Sequence, residues 1–262
     1  MVKLTLIHGD ALKVLPTIPS ESIDIIITDP PFMISKEDKI TRSKNPNYKF
    51  KANKDINLFF GSWDVFESEE KYLEFTYKWL SEAWRTLRKG GHLLTFFDKL
   101  KITYLVNWVK EHDGIPRQPL FWIIQNAPPR ARKVNFMNAV VMIFWATKHT
   151  YSRKYSTFNF ELGQHPDYKF APLCMGKERY SYGFHPTQKP ESIIRWLMEY
   201  LSKKGDTVLD PFLGSGTTMK VAKDLERNCI GIEINEEYIN MTKKRLNWGH
   251  SLGNIEWEFI KT

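Results

Sequence analysis

Short apolar runs that favour β-strands alternate with amphipathic helical patterns along most of the chain. Leu4–His8 and Ile23–Thr28 are apolar runs, whereas Lys71–Leu87 repeats apolar residues at helical spacing. Such alternation predicts an α/β fold with a mostly parallel, doubly wound sheet. A chain of 262 residues is expected to form one domain, 1–262.

The helix at Lys71–Leu87 is expected to stop at Lys89-Gly90-Gly91, a basic last turn followed by a glycine cap. The other predicted helices are Ala11–Leu15, Lys101–Glu111, Glu191–Leu201, Thr217–Asp224 and Glu236–Asn247. The other predicted strands are His92–Phe97, Leu120–Ile124, Val140–Ala146, Thr207–Asp210 and Cys229–Ile234.

Composition and charge indicate which partners, which compartment and which cofactors to expect. The net charge of +8 and the pI near 9.2 suit a polyanionic partner, although many basic proteins bind no nucleic acid. Two cysteines make no disulfide framework, the first residues lack a signal-peptide pattern, and no apolar stretch is long enough to span a membrane. We therefore expect a cytoplasmic protein. The histidines and cysteines lack metal-ligand spacing, so no metal is predicted.

The tetrapeptide Asp29-Pro30-Pro31-Phe32 ends the predicted strand Ile23–Thr28. Two prolines cannot continue a central strand, so the chain must turn there. A carboxylate and a neighbouring carbonyl can accept both hydrogens of one amino group, and an aromatic ring can stack on the base that carries it. The tetrapeptide is therefore a candidate for chemistry on the amine of a nucleobase. The alternative is an ordinary loop start, in which Asp is a common turn residue.

A second candidate ligand site follows the predicted strand Thr207–Asp210, where a glycine turn leads into a helix. Asp210 can meet a cationic amine, and the helix start can take a carboxylate. Glu233 ends the next strand 23 positions later, about where acidic residues bind ribose hydroxyls in such sheets. An amino-acid group and a ribose together describe S-adenosyl-L-methionine. Without the glycine turn, Glu233 could be only the residue before a helix cap.

Two polar stretches break the pattern, 33–63 and 148–184, and a shorter basic piece covers 128–133. Long inserts in a compact domain are usually binding loops or lids, or else disordered. The second stretch interleaves aromatic and basic residues, as nucleic-acid surfaces do, so we interpret 148–184 as the candidate target-recognition region. We interpret the polar, basic stretch 33–63 as a mobile basic loop. The candidate DNA-binding residues are Lys44, Lys49, Arg130, Arg132, Lys133, Arg153 and Lys154.

These motifs, together with His185-Pro186-Thr187-Gln188-Lys189-Pro190, resemble those of the amino-DNA methyltransferases. The catalytic tetrapeptide precedes the glycine loop, which is similar to the order in the circularly permuted β class. His8-Gly9-Asp10-Ala11-Leu12 resembles the N-terminal cofactor element of that class. The resemblance covers nearly the whole chain. It implies the Rossmann-like methyltransferase fold with small recognition inserts, S-adenosyl-L-methionine as cofactor and double-stranded DNA as partner.

The resemblance also implies residue roles. The catalytic residues would be Asp29, Pro30, Pro31 and Phe32, with Asp29 and the Pro30 carbonyl on the amine and Phe32 stacked on a flipped base. The cofactor residues would be Asp10, Ala11, Asp29, His185, Thr187, Lys189, Asp210, Pro211, Phe212, Gly214, Ser215, Gly216, Thr217, Glu233 and Ile234. Asp10 would meet the adenine ring and Glu233 the ribose.

Two positions depart from the family pattern. Phe32 stands where the family often has Tyr, and the segment Trp122–Asn126 lacks the lysine that the family often carries. Stacking needs only the ring, so the first departure leaves the role of Phe32 unchanged, whereas the second puts base-pocket contacts from Trp122–Asn126 in question.

The resemblance favours adenine N6 as the methylated atom, because cytosine-N4 enzymes more often carry Ser at the position of Asp29. Cytosine N4 is the first alternative. An RNA or protein-glutamine methyltransferase is another, although those more often carry Asn before the prolines and the reverse motif order. A DNA-binding module without activity is the third. The sequence leaves open the recognition site, an accompanying restriction endonuclease and a homodimer.

Overall fold

The computed structural model describes residues 1–33, 39–40, 56–57, 66–129, 136–149, 156–250 and 254–262. Its strands are β1 Val2–His8, β2 Ile23–Thr28, β3 Lys39–Ile40, β4 Ile56–Asn57, β5 Leu87–Phe96, β6 Gly114–Pro116, β7 Leu120–Ile124, β8 Val140–Lys148, β9 Tyr168–Ala171, β10 Thr207–Asp210, β11 Asn228–Glu233 and β12 Ile255–Lys261. Its helices are α1 Ala11–Val14, α2 Glu69–Thr86, α3 Ile102–Glu111, α4 Gly176–Tyr180, α5 Glu191–Leu201, α6 Thr217–Asp224 and α7 Glu236–Leu246.

Ten of these strands form one sheet in the order β12-β1-β11-β10-β2-β5-β8-β7-β9, with β6 paired to β8. Neighbours from β12 to β5 are parallel, whereas β8 runs antiparallel to β5, β6 and β7. The predicted α/β fold with a mostly parallel sheet is confirmed. The chain leaves β10 toward β11 and β2 toward β5, in opposite directions across the sheet. The adjacent strands β10 and β2 therefore flank a topological switch point, where such sheets bind ligands.

Both faces of the sheet are covered by helices. In β2, Ile25 and Ile27 contribute to one buried cluster with residues of α5 and α6, whereas Ile26 faces a second cluster with residues of α2 and α3. Alternate side chains of a strand point to opposite faces, so a strand buried on both sides is an almost continuous apolar run. That requirement explains the sequence Ile23–Thr28 and confirms the doubly wound arrangement.

At the junction between α2 and β5, the structure shows that the predicted glycine cap is wrong. Helix α2 ends at Thr86, and Leu87 is already extended. The amine of Lys148, on β8, is buried and donates to the carbonyls of Trp84 at 2.8 Å and Leu87 at 2.7 Å. A distant lysine thus satisfies the helix end, which local sequence cannot reveal.

Gly90 and Gly91 instead form a bulge within β5. Ile23 pairs with Leu87 and Ile25 with His92, so residues of β5 are left over between the two pairs. Gly90 has a φ of +78°, which disfavours side chains. A Cβ on Gly91 would lie 2.8 Å from the carbonyl oxygen of Asp24, so glycine permits the close approach of β5 to β2.

The described residues of the stretch 148–184, namely 148–149 and 156–184, are more regular than the sequence predicts. Strand β9 joins the main sheet beside β7 in parallel, and a 3₁₀ turn at Phe160–Leu162 and helix α4 flank it. Strand β9 has four residues, which are too few for a clear period-two pattern in the sequence. Its formation depends on tertiary pairing with β7. The sequence also gave no sign of β6 and β12, which pair with β8 and β1.

Of the predicted basic loop 33–63, only Met33 and the antiparallel pair β3–β4 fall within the described residues. The helices in the described part of the chain include none with both the length and the apolar character that crossing a bilayer requires.

Candidate active site

The two acidic motifs meet at the switch point. Asp210 ends β10, and Asp29 immediately follows β2, its parallel neighbour. The hydroxyl of Thr28 donates a hydrogen bond of 2.8 Å to Oδ1 of Asp210, so the carboxyl ends of the two strands are tied together. Residues 182 positions apart in sequence therefore line one site.

A cavity opens at this edge of the sheet and brings together most of the predicted site residues. It is lined by Asp10, Ala11, Asp29, Pro31, His185, Thr187, Lys189, Asp210, Pro211, Phe212, Gly214, Ser215, Thr217, Glu233 and Ile234. Three of the predicted catalytic and cofactor residues do not line it, namely Pro30, Phe32 and Gly216. Phe32 is half-buried and packs against the core cluster that includes Ile25 and Ile27.

Asp210 lies fully inside the protein at the cavity wall. Besides the Thr28 hydroxyl, its Oδ1 accepts the backbone N–H of Phe212 at 3.2 Å. Burial raises the pKa of this carboxyl to about 6, and the negative charge of Asp29 acts in the same direction. A hydrogen-bonded but desolvated carboxylate is strongly disposed to accept a cationic ligand.

Glu233 is held by two backbone N–H groups. Oε2 accepts from Gly214 and Oε1 from Asn235, each at 2.7 Å. Burial raises the pKa of this carboxyl to about 7, with a further contribution from Asp210. Each carboxylate oxygen has more than one lone pair, so both can still accept hydrogen bonds from ligand hydroxyls.

The glycine turn between β10 and α6 depends on left-handed backbone geometry. Gly214 and Gly216 have φ values of +53° and +79°. A Cβ on Gly216 would lie 2.5 Å from Oγ1 of Thr242, so Gly216 packs against α7 instead of lining the cavity. Behind the turn, the buried Arg245 donates to Oγ1 of Thr217 at 2.9 Å. The sequence indicated no role for Arg245, because α7 is distant along the chain.

Asp10 caps a helix and also lines the cavity. Its Oδ1 accepts the N–H of Leu12 at 2.9 Å, which caps the first turn of α1. The neighbouring strands β1 and β11 pair His8 with Glu233, so Asp10 and Glu233 extend from the same end of adjacent strands.

The segment His185–Pro190 closes another side of the cavity. His185 is buried, and burial together with the positive charges of Lys189 and Arg245 lowers its pKa to about 3, so the ring is neutral. Within the described residues, His185 Nδ1 and Gln188 Oε1 are buried polar atoms without a hydrogen-bond partner. Both side chains line the cavity, and such atoms are the ones that a polar ligand can satisfy.

Lys189 contacts the tetrapeptide predicted to be catalytic. Its ammonium forms an ion pair with Oδ2 of Asp29 and also donates to the carbonyl of Thr187 at 3.1 Å. The same ammonium lies 5.0 Å from the ring centre of Phe96 and 5.7 Å from that of Phe32. The cation is therefore placed between a carboxylate and two aromatic rings.

The sequence missed several cavity residues, including Phe75, Phe96, Gln188 and Tyr238. Phe75 belongs to the apolar stripe of α2, and Phe96 ends an apolar strand, so both resemble core residues in sequence. Phe75 packs against Phe212 with ring centres 5.9 Å apart, and the ring of Tyr238 lies 4.4 Å from that of His185. Only the position of Gln188, inside the quoted motif, offered a signal.

All seven predicted DNA-binding residues lie outside the described residues. The segment Trp122–Asn126 is described: Trp122 is buried and donates to the carbonyl of Ala171, whereas the exposed Asn126 accepts the N–H of Leu173 at 2.7 Å. These bonds hold β9 and the chain after it. In the part of the chain that the structure describes, no three His, Cys, Asp or Glu side chains are grouped to hold a metal ion.

Comparisons with known proteins agree on one family. The family model described as DNA methylase, N6_N4_Mtase, matches residues 23–244. Type II methyltransferase M.HinfI of Haemophilus influenzae is 33% identical over 254 residues, 92% of this chain and 68% of that protein. Type II methyltransferase M2.LlaDCHI of Lactococcus lactis subsp. cremoris is 33% identical over 95% of this chain and 91% of its own length.

Solved structures share the fold at lower identity. The crystal structure of the M1.HpyAVI-SAM complex has a TM-score of 0.66 and 24% identity, and the match covers 93% of this chain and 99% of that one. The PvuII DNA methyltransferase, titled cytosine-N4-specific, has a TM-score of 0.72 and 19% identity, with 95% and 90% covered. At these identities the structural likeness establishes the fold.

Proposed function

Because this chain belongs to the N6/N4 DNA methylase family, we propose that it transfers a methyl group from S-adenosyl-L-methionine to the N6 amine of an adenine flipped out of duplex DNA. Family membership covers methyl transfer to N6 and to N4. Asp29 supports adenine, because the resemblance associates Asp at this position with N6 enzymes.

The observation that carries the proposal is the meeting of Asp29 with Asp210, Glu233 and the glycine turn around one cavity. A candidate amine-binding carboxylate and a candidate cofactor site would be unrelated features if they lay apart. Here Thr28, next to Asp29, is hydrogen-bonded to Asp210. Methyl donor and acceptor amine could therefore be held side by side, which is what direct transfer requires.

The cavity residues fit the proposed cofactor chemically. Asp210 can bind the α-ammonium group, Glu233 the ribose hydroxyls, and the free N–H groups at the start of α6 the carboxylate. The buried Nδ1 of His185 and Oε1 of Gln188 offer unsatisfied polar atoms at the same wall. When bound there, S-adenosyl-L-methionine supplies an electrophilic sulfonium methyl group.

Asp29 and the Pro30 carbonyl would activate the target amine. The adenine amine is a weak nucleophile because its lone pair delocalises into the ring. Two acceptors on its hydrogens favour tetrahedral geometry and localise the lone pair on nitrogen. As the new N–C bond forms, the bond between the methyl carbon and sulfur breaks and S-adenosylhomocysteine leaves, and the Asp29 carboxylate would receive the proton that the nitrogen loses. Phe32, outside the cofactor cavity, would stack on the base.

The Asp29→Ala variant tests this assignment. We expect methyl incorporation into duplex DNA to fall by a factor of about 10³ or more, because the electrostatic activation is lost, while the cofactor still binds. The measurement is label uptake from methyl-labelled cofactor together with calorimetric binding. Glu111→Ala, which removes an exposed carboxylate on α3, serves as control and should retain wild-type uptake. Undiminished uptake by Asp29→Ala would overturn the role of Asp29.

Substrate class and target base need separate measurements. Label uptake by wild-type protein should be confined to duplex DNA when RNA and protein are offered in parallel. Modified-base sequencing of DNA from a host that expresses this chain should show N6-methyladenine at one short site. N4-methylcytosine at that site would contradict the adenine assignment but would agree with the proposed DNA methylation. Label in RNA or protein alone would contradict both assignments.

A further inference from the structure

The ion pair between Lys189 and Asp29 places a cationic amine in the subsite that the proposed function gives to the target amine. The Lys189 ammonium occupies the Asp29 carboxylate, and the Thr187 carbonyl provides a second acceptor at 3.1 Å. Rings of Phe96 and Phe32 flank it at 5.0 and 5.7 Å. A carboxylate, a carbonyl and an aromatic ring are also the kinds of group that would recognise an adenine amine, where the carbonyl assigned is that of Pro30.

Lys189 also lines the cavity proposed to hold the cofactor, so a second anion bound there could lie beside it. The side chain is 11% exposed, and that of Asp29 is 20% exposed, so water screens their attraction only partly. The carboxylate of a bound amino-acid group would compete with Asp29 for the one ammonium. A lysine on a flexible stem can move between two such partners, whereas Asp29 is fixed at the end of β2.

We propose that Lys189 is a positioning residue that couples the target-amine subsite to the cofactor subsite. Its ammonium occupies the amine subsite at Asp29 until the carboxylate of the bound cofactor attracts it away. This inference rests on the proposed function. Its consequence is an order of events, in which Asp29 becomes available to the target amine only in the cofactor-loaded protein. The coupling is reciprocal, so weakening the Asp29 pair must favour cofactor binding through Lys189.

A double-mutant cycle on cofactor-product affinity tests the coupling. The probe is S-adenosylhomocysteine, which retains the carboxylate but lacks the sulfonium charge that Asp29 could attract. Its dissociation constant is measured by calorimetry for wild type, Asp29→Asn, Lys189→Met and the double variant. We expect Asp29→Asn to increase the affinity for S-adenosylhomocysteine when Lys189 is present. This increase should be about tenfold larger than the effect of Asp29→Asn in the Lys189→Met background.

Controls separate this coupling from loss of folding and from failure of the proposed function. Lys189→Gln replaces Lys189→Met if the latter does not fold, and Lys189→Arg should restore part of the coupling. Asp224→Asn, which disrupts a Lys220 ion pair on α6, should give the same ratio in both backgrounds. Equal ratios for Asp29→Asn would overturn the coupling alone. Absence of any binding to wild type would overturn the proposed function and the coupling together.

Discussion

Asp210 and Glu233 are buried carboxyl groups that face one cavity, and the pKa values of both are raised. Asp210 increases the pKa of Glu233, and Asp29 increases that of Asp210, in both cases after burial as the larger cause. Perturbed acids at a strand edge are typical of ligand sites. Because both pKa values are raised, each group ionises at a higher pH than an ordinary carboxyl, and a cationic ligand would favour the ionised forms.

Cofactor affinity should therefore depend on pH. Below about pH 6 both carboxyls are protonated. Above about pH 7 both are ionised, so Asp210 can pair with the ammonium group, and the nearby Glu233 adds to the negative charge of the cavity. Binding of a cation favours ionisation and releases protons, so affinity must rise with pH. We expect S-adenosyl-L-methionine to bind about tenfold or more tightly at pH 8 than at pH 5, by calorimetry.

Asp210→Asn provides the control, because the amide retains the size of the carboxyl and cannot titrate. The pH dependence should be smaller in this variant. His185, whose pKa is about 3, does not change charge in this range. A decrease in affinity from pH 5 to pH 8 would contradict the assignment of Asp210 to a cationic group.

At the scale of elements, Lys148 joins β8 to the end of α2. Its buried ammonium donates to carbonyls at the helix end, and burial lowers its pKa. Basic groups favour helix C-termini, because the last carbonyls lack intrahelical partners. The sequence assigned residue 148 to a candidate recognition region, but its contacts lie within the fold.

Replacing Lys148 with Met should destabilise the protein by about 2–3 kcal/mol, because buried carbonyls lose their donor. Urea denaturation measures the change. Lys110→Met, at an exposed position near the end of α3, is the matched control and should change stability by less than about 0.5 kcal/mol. A stable Lys148→Met protein with weakened DNA binding would instead favour a role in recognition.

At the scale of the whole molecule, β12 covers one edge of the main sheet. All seven of its residues pair in parallel with β1, and the N–H of Thr262 donates to the carbonyl of His8 at 3.1 Å. Strand β1 leads directly into Asp10, so this edge supports one wall of the cavity. An uncovered β1 would expose a row of unpaired backbone groups.

Truncation after Gly253 should therefore lower the thermal midpoint and promote aggregation, as followed by circular dichroism and light scattering. The exposed β1 edge is the physical reason. Glu256→Gln, which removes a surface ion pair with Lys3 and retains the strand, should leave both properties near wild type. A truncated chain as stable and monomeric as the full chain would show that β12 is dispensable.

Local sequence patterns determined the order and type of the principal elements and the motifs at their ends. The bounds of α5, α6 and β10 agree with prediction, because period and turn residues are local properties. Tertiary structure alone decided which distant groups meet: Lys189 with Asp29, Arg245 with Thr217, and Lys148 with the end of α2. Those contacts follow from how crossovers arrange the strands, and no periodicity along the chain encodes that arrangement.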